Sequence, residues 1–210
     1  MRPVLISAGA TRNPIDAIRY ISSFSTGTTG AWLGRALAGA GRDVHLLGSA
    51  EALSRAPELN GEEFWSTLDL MARMKRWVEA NPGGLVIHAA AVGDYQAETS
   101  ASKLPSGQPE LVLRLHPTPK IVDHLKRWDS SLFLVSFKAA PPETDDHALT
   151  QIAARQLAHT ASDLVFANVL GRLATGVQIV RPDGPTRYER RDEAMQALLS
   201  ALLAASATAA

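Results

Sequence analysis

The chain has 210 residues, 46% of them hydrophobic, which predicts a single folded domain over residues 1–210 and excludes an intrinsically disordered chain. Its 21 basic residues balance its 21 acidic ones, so the sequence lacks the charge excess of a general nucleic-acid-binding protein. No cysteine is present, which excludes disulfides and thiolate metal sites and is compatible with the reducing cytoplasm, the expected location.

Short apolar runs alternate with helical patterns in the first half of the chain. The run at residues 1–6 is too short for a signal peptide or a membrane span, so no membrane partner is expected. Helices are predicted over residues 31–40, which end at Gly41, and over residues 68–80, which end at an Asn-Pro-Gly-Gly turn. Buried strands are predicted over residues 4–8, 44–47 and 85–89.

The second half begins with a polar segment, residues 97–110, which is long for a connection and therefore indicates a functional or disordered loop. The alternating residues 110–115 predict a half-exposed strand, and Pro182-Asp183-Gly184 predicts a hairpin turn. The remaining predicted elements are strands over residues 132–137, 164–167, 177–180 and 186–189, and helices over residues 120–128, 145–159 and 192–203.

The alternation of strands and helices predicts an α/β fold with three layers, Rossmann-like, around a largely parallel central sheet. Residues 97–115, a hairpin-like segment expected to be exposed, predict a small extra strand or loop element for dimerisation beside that sheet. Because ligands of such folds bind at the carboxyl ends of the strands, we expect the site in the turns that follow the predicted strands.

One of these turns is a glycine-containing loop, residues 25–30 (STGTTG), which leads into the first predicted helix. Its two glycines allow a ligand close to the backbone, and its hydroxyls, together with free helix N–H groups, favour an anion. The loop has neither the Gly-Lys-Ser/Thr of a P-loop nor a full Gly-x-Gly-x-x-Gly pattern. An ordinary capped start of a helix explains the same residues equally well.

Two other turns and one lysine carry candidate groups. Residues 9–16 (GATRNPID) follow the first strand, where doubly wound folds hold phosphates, although a strand-to-helix turn with a surface Arg12–Asp16 pair is equally compatible. Asp94 ends a run of small residues after the third strand and either binds a ligand or caps a turn. Lys103 stands in the polar loop, where a lysine is usually just solvated. The histidines show no zinc spacing, so no metal ligand is predicted.

Seven segments in order resemble the phosphopantothenate–cysteine ligase family, and the resemblance covers nearly the whole chain. They are residues 9–16 (GATRNPID), 25–30 (STGTTG), 90–95 (AAVGDY), 103–104 (KL), 117–121 (PTPKI), 135–138 (VSFK) and 163–168 (DLVFAN). The segment LPSG after Lys103, and the lack of a preceding decarboxylase domain, are similar to the stand-alone branch of that family.

The resemblance implies roles for particular residues. It makes Lys103 the catalytic lysine. Ser23 is placed where relatives carry an asparagine that handles the acyl-nucleotide; serine is shorter and lacks the amide donor. Positions that contact the nucleotide in the family correspond to Gly9, Ser25, Gly27, Gly30, Phe137, Arg155, His159 and Asn168, and positions that contact the acid substrate correspond to Ala90, Ala91 and Asp94.

The resemblance also implies the reaction: a ligase that joins cysteine to 4'-phosphopantothenate in coenzyme A synthesis through an acyl-nucleotide, using CTP or ATP with Mg²⁺ and releasing pyrophosphate. No flavin and no nucleic-acid partner are expected, and the family implies a homodimer. Two alternatives remain open: a ligase for another phosphorylated acid, and a non-catalytic nucleotide-binding or regulatory protein. An NAD-binding Rossmann domain is less well supported, because no full glycine pattern follows the first strand.

Overall fold

The computed structural model describes residues 1–107 and 109–207. Gln108, within the predicted polar loop, and residues 208–210 lie outside the described residues. The strands are β1 (Val4–Ala8), β2 (Arg12–Pro14), β3 (Tyr20–Ser22), β4 (Val44–Gly48), β5 (Asn60–Glu63), β6 (Leu85–His88), β7 (Tyr95–Ala97), β8 (Leu115–Pro117), β9 (Phe133–Ala140), β10 (Leu164–Val169), β11 (Thr175–Arg181) and β12 (Gly184–Arg190). The helices are α1 (Thr28–Gly39), α2 (Ala50–Ser54), α3 (Thr67–Ala80), α4 (Val122–Trp128), α5 (Asp146–Thr160) and α6 (Arg191–Ala207).

One large sheet organises the fold, with the strand order β12-β11-β10-β9-β6-β1-β4-β5. The six strands from β10 to β5 are parallel, whereas β11 and β12 form an antiparallel hairpin at one edge. The chain runs from β1 outward through β4 to β5 and then returns to β6 on the other side of β1. Doubly wound folds bind ligands at such a switch point, which here lies between the carboxyl ends of β1 and β6.

Side chains alternate between the two faces of the sheet along each strand, so an apolar strand leaves both faces to be covered. Different helices cover the two faces. Val4, Ile6 and Ala8 of β1 pack in the same cluster as residues of α1, α2 and α6. Leu5, which points to the opposite face, packs in a cluster with residues of α3 and α4, and α5 continues that layer over β10. Helices on both faces of a largely parallel sheet confirm the predicted three-layer α/β fold.

The segment after β1 differs from the prediction. A turn into a helix was one expectation, but β2 pairs with β3 as an antiparallel hairpin outside the main sheet. The Arg12–Asp16 pair that belonged to this alternative is also absent from the described contacts, because Asp16 binds Arg19 Nη1 at 2.8 Å. Both strands have only three residues and β2 contains Pro14, so neither gives an alternation long enough to recognise in a sequence.

The strand predicted over residues 110–115 is wrong. Residues 110–114, all of them described, form no strand, and β8 begins only at Leu115, where it pairs with β7. Alternation therefore did not mark burial here, since Val112 is 79% exposed. The sequence also gave no signal for β5, because Asn60–Glu63 is polar and forms the edge of the sheet.

Candidate active site

A cleft of about 830 Å³ opens at the carboxyl ends of β1, β6, β9 and β10, on the face covered by α1 and α6. Its position is the one expected from the switch point between β1 and β6. The predicted site residues that line it are Ser23, Ser25, Gly27, Gly30, Ala90, Ala91, Phe137 and Asn168. The fold thus brings together eight residues that stand between positions 23 and 168.

Two glycines shape the floor of the cleft where α1 begins. Gly27 has φ 72°, and a Cβ on it would lie 2.3 Å from the Cβ of Ala52. A Cβ on Gly30 would lie 2.5 Å from the Cβ of Ala8, so this glycine lets α1 approach the end of β1 closely. Gly9 lines neither cavity, but its backbone nitrogen would be 3.1 Å from a Cβ on Gly27, so it lies directly beneath the loop. A side chain at Gly27 or Gly30 would therefore push the start of α1 away from the residues packed beneath it.

The N-terminus of α1 is open toward the cleft. Its N-cap is Gly27, and among the described residues no side chain caps this end and no acidic residue stands in its first turn. Each of the other five helices in the described part of the chain carries an acidic residue in its first turn. Thr28, Thr29 and Gly30 line the cleft, and the first N–H groups of a helix have no partner within it. This end of α1 is therefore suited to an anion.

Small residues at the end of β6 form the wall opposite α1. The chain after β6 stays beside the chain after β1, because Ala91 N–H donates to the Gly9 carbonyl at 2.8 Å and Thr11 N–H donates to the Ala91 carbonyl at 3.1 Å. Ala90 and Ala91 therefore extend the parallel pairing beyond the sheet and leave the cleft wide at this point. Phe137 from β9 completes the wall, with its ring 5.1 Å from that of Phe166.

A second cavity, of about 160 Å³, adjoins the first and shares Ala90 and Phe137 with it. Asp94, Lys120 and His88 line it, and Lys120 Nζ forms an ion pair with Asp94 Oδ1. Asp94 therefore lies one cavity away from the glycine loop, as expected if it contacts a different part of the bound substrates. Lys120 belongs to the segment 117–121 (PTPKI), but nothing in that segment showed that the fold places it against Asp94.

A polar row runs across three strands beneath the second cavity. His88 of β6 pairs in register with Ser7 of β1 on one side and with Ser136 of β9 on the other. The Ser7 hydroxyl lies 2.7 Å from His88 Nδ1. Gln156 Nε2 of α5 donates to Ser136 Oγ at 2.9 Å. Burial lowers the pKa of the His88 imidazole to about 4, so this histidine is neutral at neutral pH.

Lys103 is exposed and lines neither cavity. The next residue holds its segment in place, because Leu104 N–H donates to Asp16 Oδ2 at 2.9 Å. The buried Asp16 carboxylate also accepts hydrogen bonds from Ile18 N–H at 2.9 Å and Arg19 N–H at 2.8 Å. The hydrogen bond from Ile18, with those from Leu104 and Arg19, lowers the pKa of Asp16 despite its burial. Asp16 is thus a fixed anionic anchor for the lysine segment.

Arg155 and His159 stand apart from both cavities. Both are exposed on α5, where His159 Nε2 lies 3.3 Å from Asp123 of α4. Neither residue lines a cavity, so the fold does not bring them to the glycine loop. Their assignment to the nucleotide stays a prediction.

Three basic residues of the larger cleft were not singled out as site residues from the sequence: Arg12, Lys138 and Arg191. Arg12 lies 5.4 Å from the ring centre of Tyr20 and 5.2 Å from that of Trp65. Arg191 is the first residue of α6, and its Nη2 donates to Thr29 Oγ1 at 3.1 Å. Arg12 lay within a recognised segment, but Arg191 precedes a predicted helix and shares no motif, so no sequence signal marked it.

The described residues contain no group of three or more histidine, aspartate or glutamate side chains placed to hold a metal ion. Glu51 is the acidic side chain in the lining of the larger cleft, and it lies 3.5 Å from Arg12 Nη2. No helix in the described part of the chain is both long and apolar enough to cross a membrane.

Comparisons with known proteins give relatives in sequence and in structure. A protein named coenzyme A biosynthesis bifunctional protein CoaBC, from Thermococcus kodakarensis, is 36% identical over 168 residues, which cover 80% of this chain and 41% of that protein. The chain spans less than half the length of the curated relatives it matches. The crystal structure of the DNA/pantothenate metabolism flavoprotein from Streptococcus pneumoniae superimposes with a TM-score of 0.83 at 27% identity, covering 97% of this chain and 99% of that one.

A more distant structure shares the fold alone: a Cab2 mutant in complex with phosphopantothenate-cysteine, with a TM-score of 0.78 at 21% identity, covering 99% of this chain and 89% of that one. The family model described as DNA/pantothenate metabolism flavoprotein C-terminal domain matches residues 1–194. Because this model matches nearly the whole chain, the chain belongs to the family of the DNA/pantothenate metabolism flavoprotein C-terminal domain.

Proposed function

We propose that this protein is a phosphopantothenate–cysteine ligase that activates its acid substrate with a nucleoside triphosphate. The observation that carries the proposal is the open N-terminus of α1 at the floor of a large cleft, next to a second cavity with its own charged pair. The complex of Cab2 with phosphopantothenate-cysteine, and the coenzyme A names of the relatives, support the choice of substrate.

The two adjoining cavities suit two substrates that must meet. The nucleotide occupies the larger cleft, with its phosphates at the Ser25–Gly30 loop and its base or ribose against Phe137. The acid occupies the smaller cavity, oriented by a hydrogen bond to Asp94. Ala90 and Phe137 line both cavities, so the carboxylate and the α-phosphate meet beside them. Holding both groups in contact is worth far more than binding either one alone.

The chemistry proceeds in two displacements. A carboxylate oxygen of the acid attacks the α-phosphorus, the bond to the bridging oxygen breaks, and pyrophosphate leaves. The cysteine amine then attacks the acyl carbon, the bond from that carbon to the phosphate oxygen breaks, and the nucleoside monophosphate leaves while the amine loses a proton to water. Charge accumulates on phosphate oxygens in the first step, where helix N–H groups and Lys103 stabilise it.

Mg²⁺ enters this scheme with the nucleotide. The ion prefers oxygen ligands, keeps several waters and usually takes only one or two carboxylates besides substrate phosphates. Glu51 at the edge of the cleft fits that requirement, and the described residues offer no all-protein cage. When bound, the ion supplies neutralisation of the phosphate charges. CTP or ATP serves as nucleotide, and a homodimer in the cytoplasm is the expected form.

A pyrophosphate-release assay tests the function directly. We expect release with CTP or ATP only when 4'-phosphopantothenate is present, and a ligated product of the expected mass only when cysteine is added as well. GTP and UTP provide the comparison for base preference. Pyrophosphate release that does not depend on the acid, or no release with any of the four nucleotides, would contradict the proposal. Nucleotide binding without turnover would instead favour a non-catalytic nucleotide-binding protein.

Ser23 is the position at which this chain departs from the family segment, and it lines the larger cleft as an exposed side chain. A serine offers one hydroxyl where an asparagine offers an amide that donates and accepts. One missing contact of this kind costs about 1–3 kcal/mol, or roughly ten- to a hundredfold in rate. We therefore expect Ser23→Asn to raise the rate of cysteine ligation relative to the rate of pyrophosphate release.

The matched control is Ser54→Asn, which makes the same change at an exposed position of α2 that lines neither cavity. It should leave both rates unchanged. If the parent already ligates one cysteine for each pyrophosphate released, and Ser23→Asn is no faster, then Ser23 replaces the asparagine without a cost.

A further inference from the structure

Two neighbouring arginines, Arg190 and Arg191, point in different directions: Arg190 toward solvent and Arg191 toward the cleft. Arg190 ends β12 with a side chain that is 67% exposed and paired with Asp192. Arg191 begins α6, and its guanidinium carbon lies over the ring of Phe166, 5.1 Å from the ring centre. Its Nη2 donates to the hydroxyl of Thr29, in the first turn of α1, at 3.1 Å. The guanidinium is therefore held at the open end of α1.

No acidic side chain in the described part of the chain forms an ion pair with the half-buried Arg191. None of the ion pairs among the described residues involves Arg191, and its buried Nη1 has no hydrogen-bond partner there. Burial lowers the pKa of this guanidinium, but an arginine remains charged in proteins. A buried cation without an anion is costly, and native structures rarely leave a buried donor unpaired. The arrangement is accounted for if an anion from outside the chain completes it.

A second side chain points to the same ligand independently. Asn168 is 6% exposed and lines the cleft, and its Nδ2 has no partner among residues 1–107 and 109–207. Asn168 and Phe166 are two residues apart on β10, so their side chains share the face on which Arg191 stacks. Arg191 Nη1 and Asn168 Nδ2 are both donors, as are the first N–H groups of α1. Three sources of donors in one cleft require a ligand rich in acceptors and negative charge.

We propose that Arg191 binds the phosphate chain of the nucleotide, with Nη2 fixed by Thr29 and Nη1 donated to a phosphate oxygen. This deepens the proposed function and rests on it for the identity of the nucleotide. Because the guanidinium is already held by Phe166 and Thr29, little side-chain freedom is lost on binding. Arg191 thus contributes a contact to the phosphate chain that is separate from the contacts of the glycine loop and of Lys103.

Inorganic pyrophosphate is the probe, because it contains the anhydride-linked phosphates without the base, ribose or acid substrate. The test variant is Arg191→Met, which keeps an apolar stem over Phe166 and removes the charge and donors. We expect its dissociation constant for pyrophosphate, measured by calorimetry, to rise at least tenfold. Its KM for the nucleoside triphosphate should rise similarly, with a smaller change in kcat. Arg190→Met is the matched control and should change neither quantity more than twofold.

Arg191→Lys separates charge from geometry. It keeps a cation but not the fork that reaches Thr29 and the phosphate together, so an intermediate loss of pyrophosphate binding is expected. This variant also carries the test if Arg191→Met does not fold. Thermal unfolding without ligand gives an independent readout: removing an unpaired buried charge should leave the melting temperature of Arg191→Met unchanged or raise it.

Two results would overturn the proposal: parent protein that does not bind pyrophosphate, or Arg191→Met that binds it as tightly as the parent while the control behaves as expected. A lower melting temperature with unchanged pyrophosphate binding would likewise make Arg191 purely structural. The proposed ligase reaction fails in a different way. If pyrophosphate binds through Arg191 and no ligated product forms, the reaction is wrong and the phosphate site stands.

Discussion

The Lys103→Ala variant is expected to lose most of its pyrophosphate release while its fold stays intact. Removing one preorganised donor from a developing charge typically costs about a hundred- to a thousandfold in kcat. Loss of an exposed lysine changes stability by only about ±0.5 kcal/mol. The decisive measurement is steady-state pyrophosphate release with saturating nucleotide and acid, together with a thermal melt that shows the variant is folded.

The position of Lys103 means that this prediction requires a conformational change. The side chain is exposed and lines neither cavity, yet Leu104 is tied to the buried Asp16 carboxylate. We therefore expect the segment before this anchor to move toward the phosphates when both substrates bind, as catalytic loops commonly do. Binding of the nucleotide alone should change little in Lys103→Ala, so kcat should fall much more than the affinity for nucleotide.

Lys75→Ala is the matched control, since Lys75 is an exposed lysine of α3 whose described partner is Glu79 on the same helix. It should retain the parent rate. If Lys103→Ala turns over as fast as the parent, the lysine is merely solvated, and another basic residue of the cleft stabilises the first transition state.

The fold and the glycine loop were predictable because their signals are local. Apolar runs located all six parallel strands except the polar β5, and STGTTG marked the start of α1. The contacts that complete the cleft are not local. Asp16 meets Leu104, and Arg191 meets Thr29, only after the chain has crossed the sheet several times. An arginine before a helix carries no period or motif, so the orientation of Arg191 could be learned only from the packing around Phe166.

The buried row of Ser7, His88 and Ser136 was likewise hidden in the sequence. In the strand predicted over residues 85–89, His88 is the one residue that is not apolar, and nothing in the sequence showed that serines of both neighbouring strands lie beside it. Strand register fixes those neighbours, and register depends on how the whole sheet pairs. The row gives the protein a titratable group in its core.

Stability is expected to fall as the pH falls from about 6.5 toward 4, and His88 is the cause. In the unfolded chain this imidazole takes up a proton near its ordinary value of 6.5, whereas burial lowers its pKa in the folded chain to about 4. Between those values the unfolded state binds more protons, so acidification favours unfolding. The full difference corresponds to roughly 3 kcal/mol, at 1.36 kcal/mol for each pKa unit. This contribution is complete above about pH 6.5 and is lost by about pH 4.

The measurement is the free energy of unfolding in urea at a series of pH values between about 4.5 and 7. That range avoids most of the contribution of Asp16 and Asp129, whose lowered pKa values place their losses below their ordinary value of 3.8. His88→Asn removes the titration while retaining a side chain that donates and accepts hydrogen bonds beside the Ser7 hydroxyl. The variant should therefore show a much flatter dependence of unfolding free energy on pH than the parent.

His147→Asn makes the same change at an exposed position of α5, where Nε2 of the histidine lies 2.9 Å from Gln151. The stability of this variant should depend on pH as that of the parent does, because the variant leaves the buried His88 in place. A parent whose stability is flat between about pH 6.5 and 4.5 would contradict the buried neutral histidine. A slope that persists in His88→Asn would assign the lost stability to a different group. If the unfolding free energy is independent of pH in His88→Asn alone, the row of Ser7, His88 and Ser136 stabilises the fold as a neutral network. Acid then destabilises the fold by protonating the histidine beneath the smaller cavity.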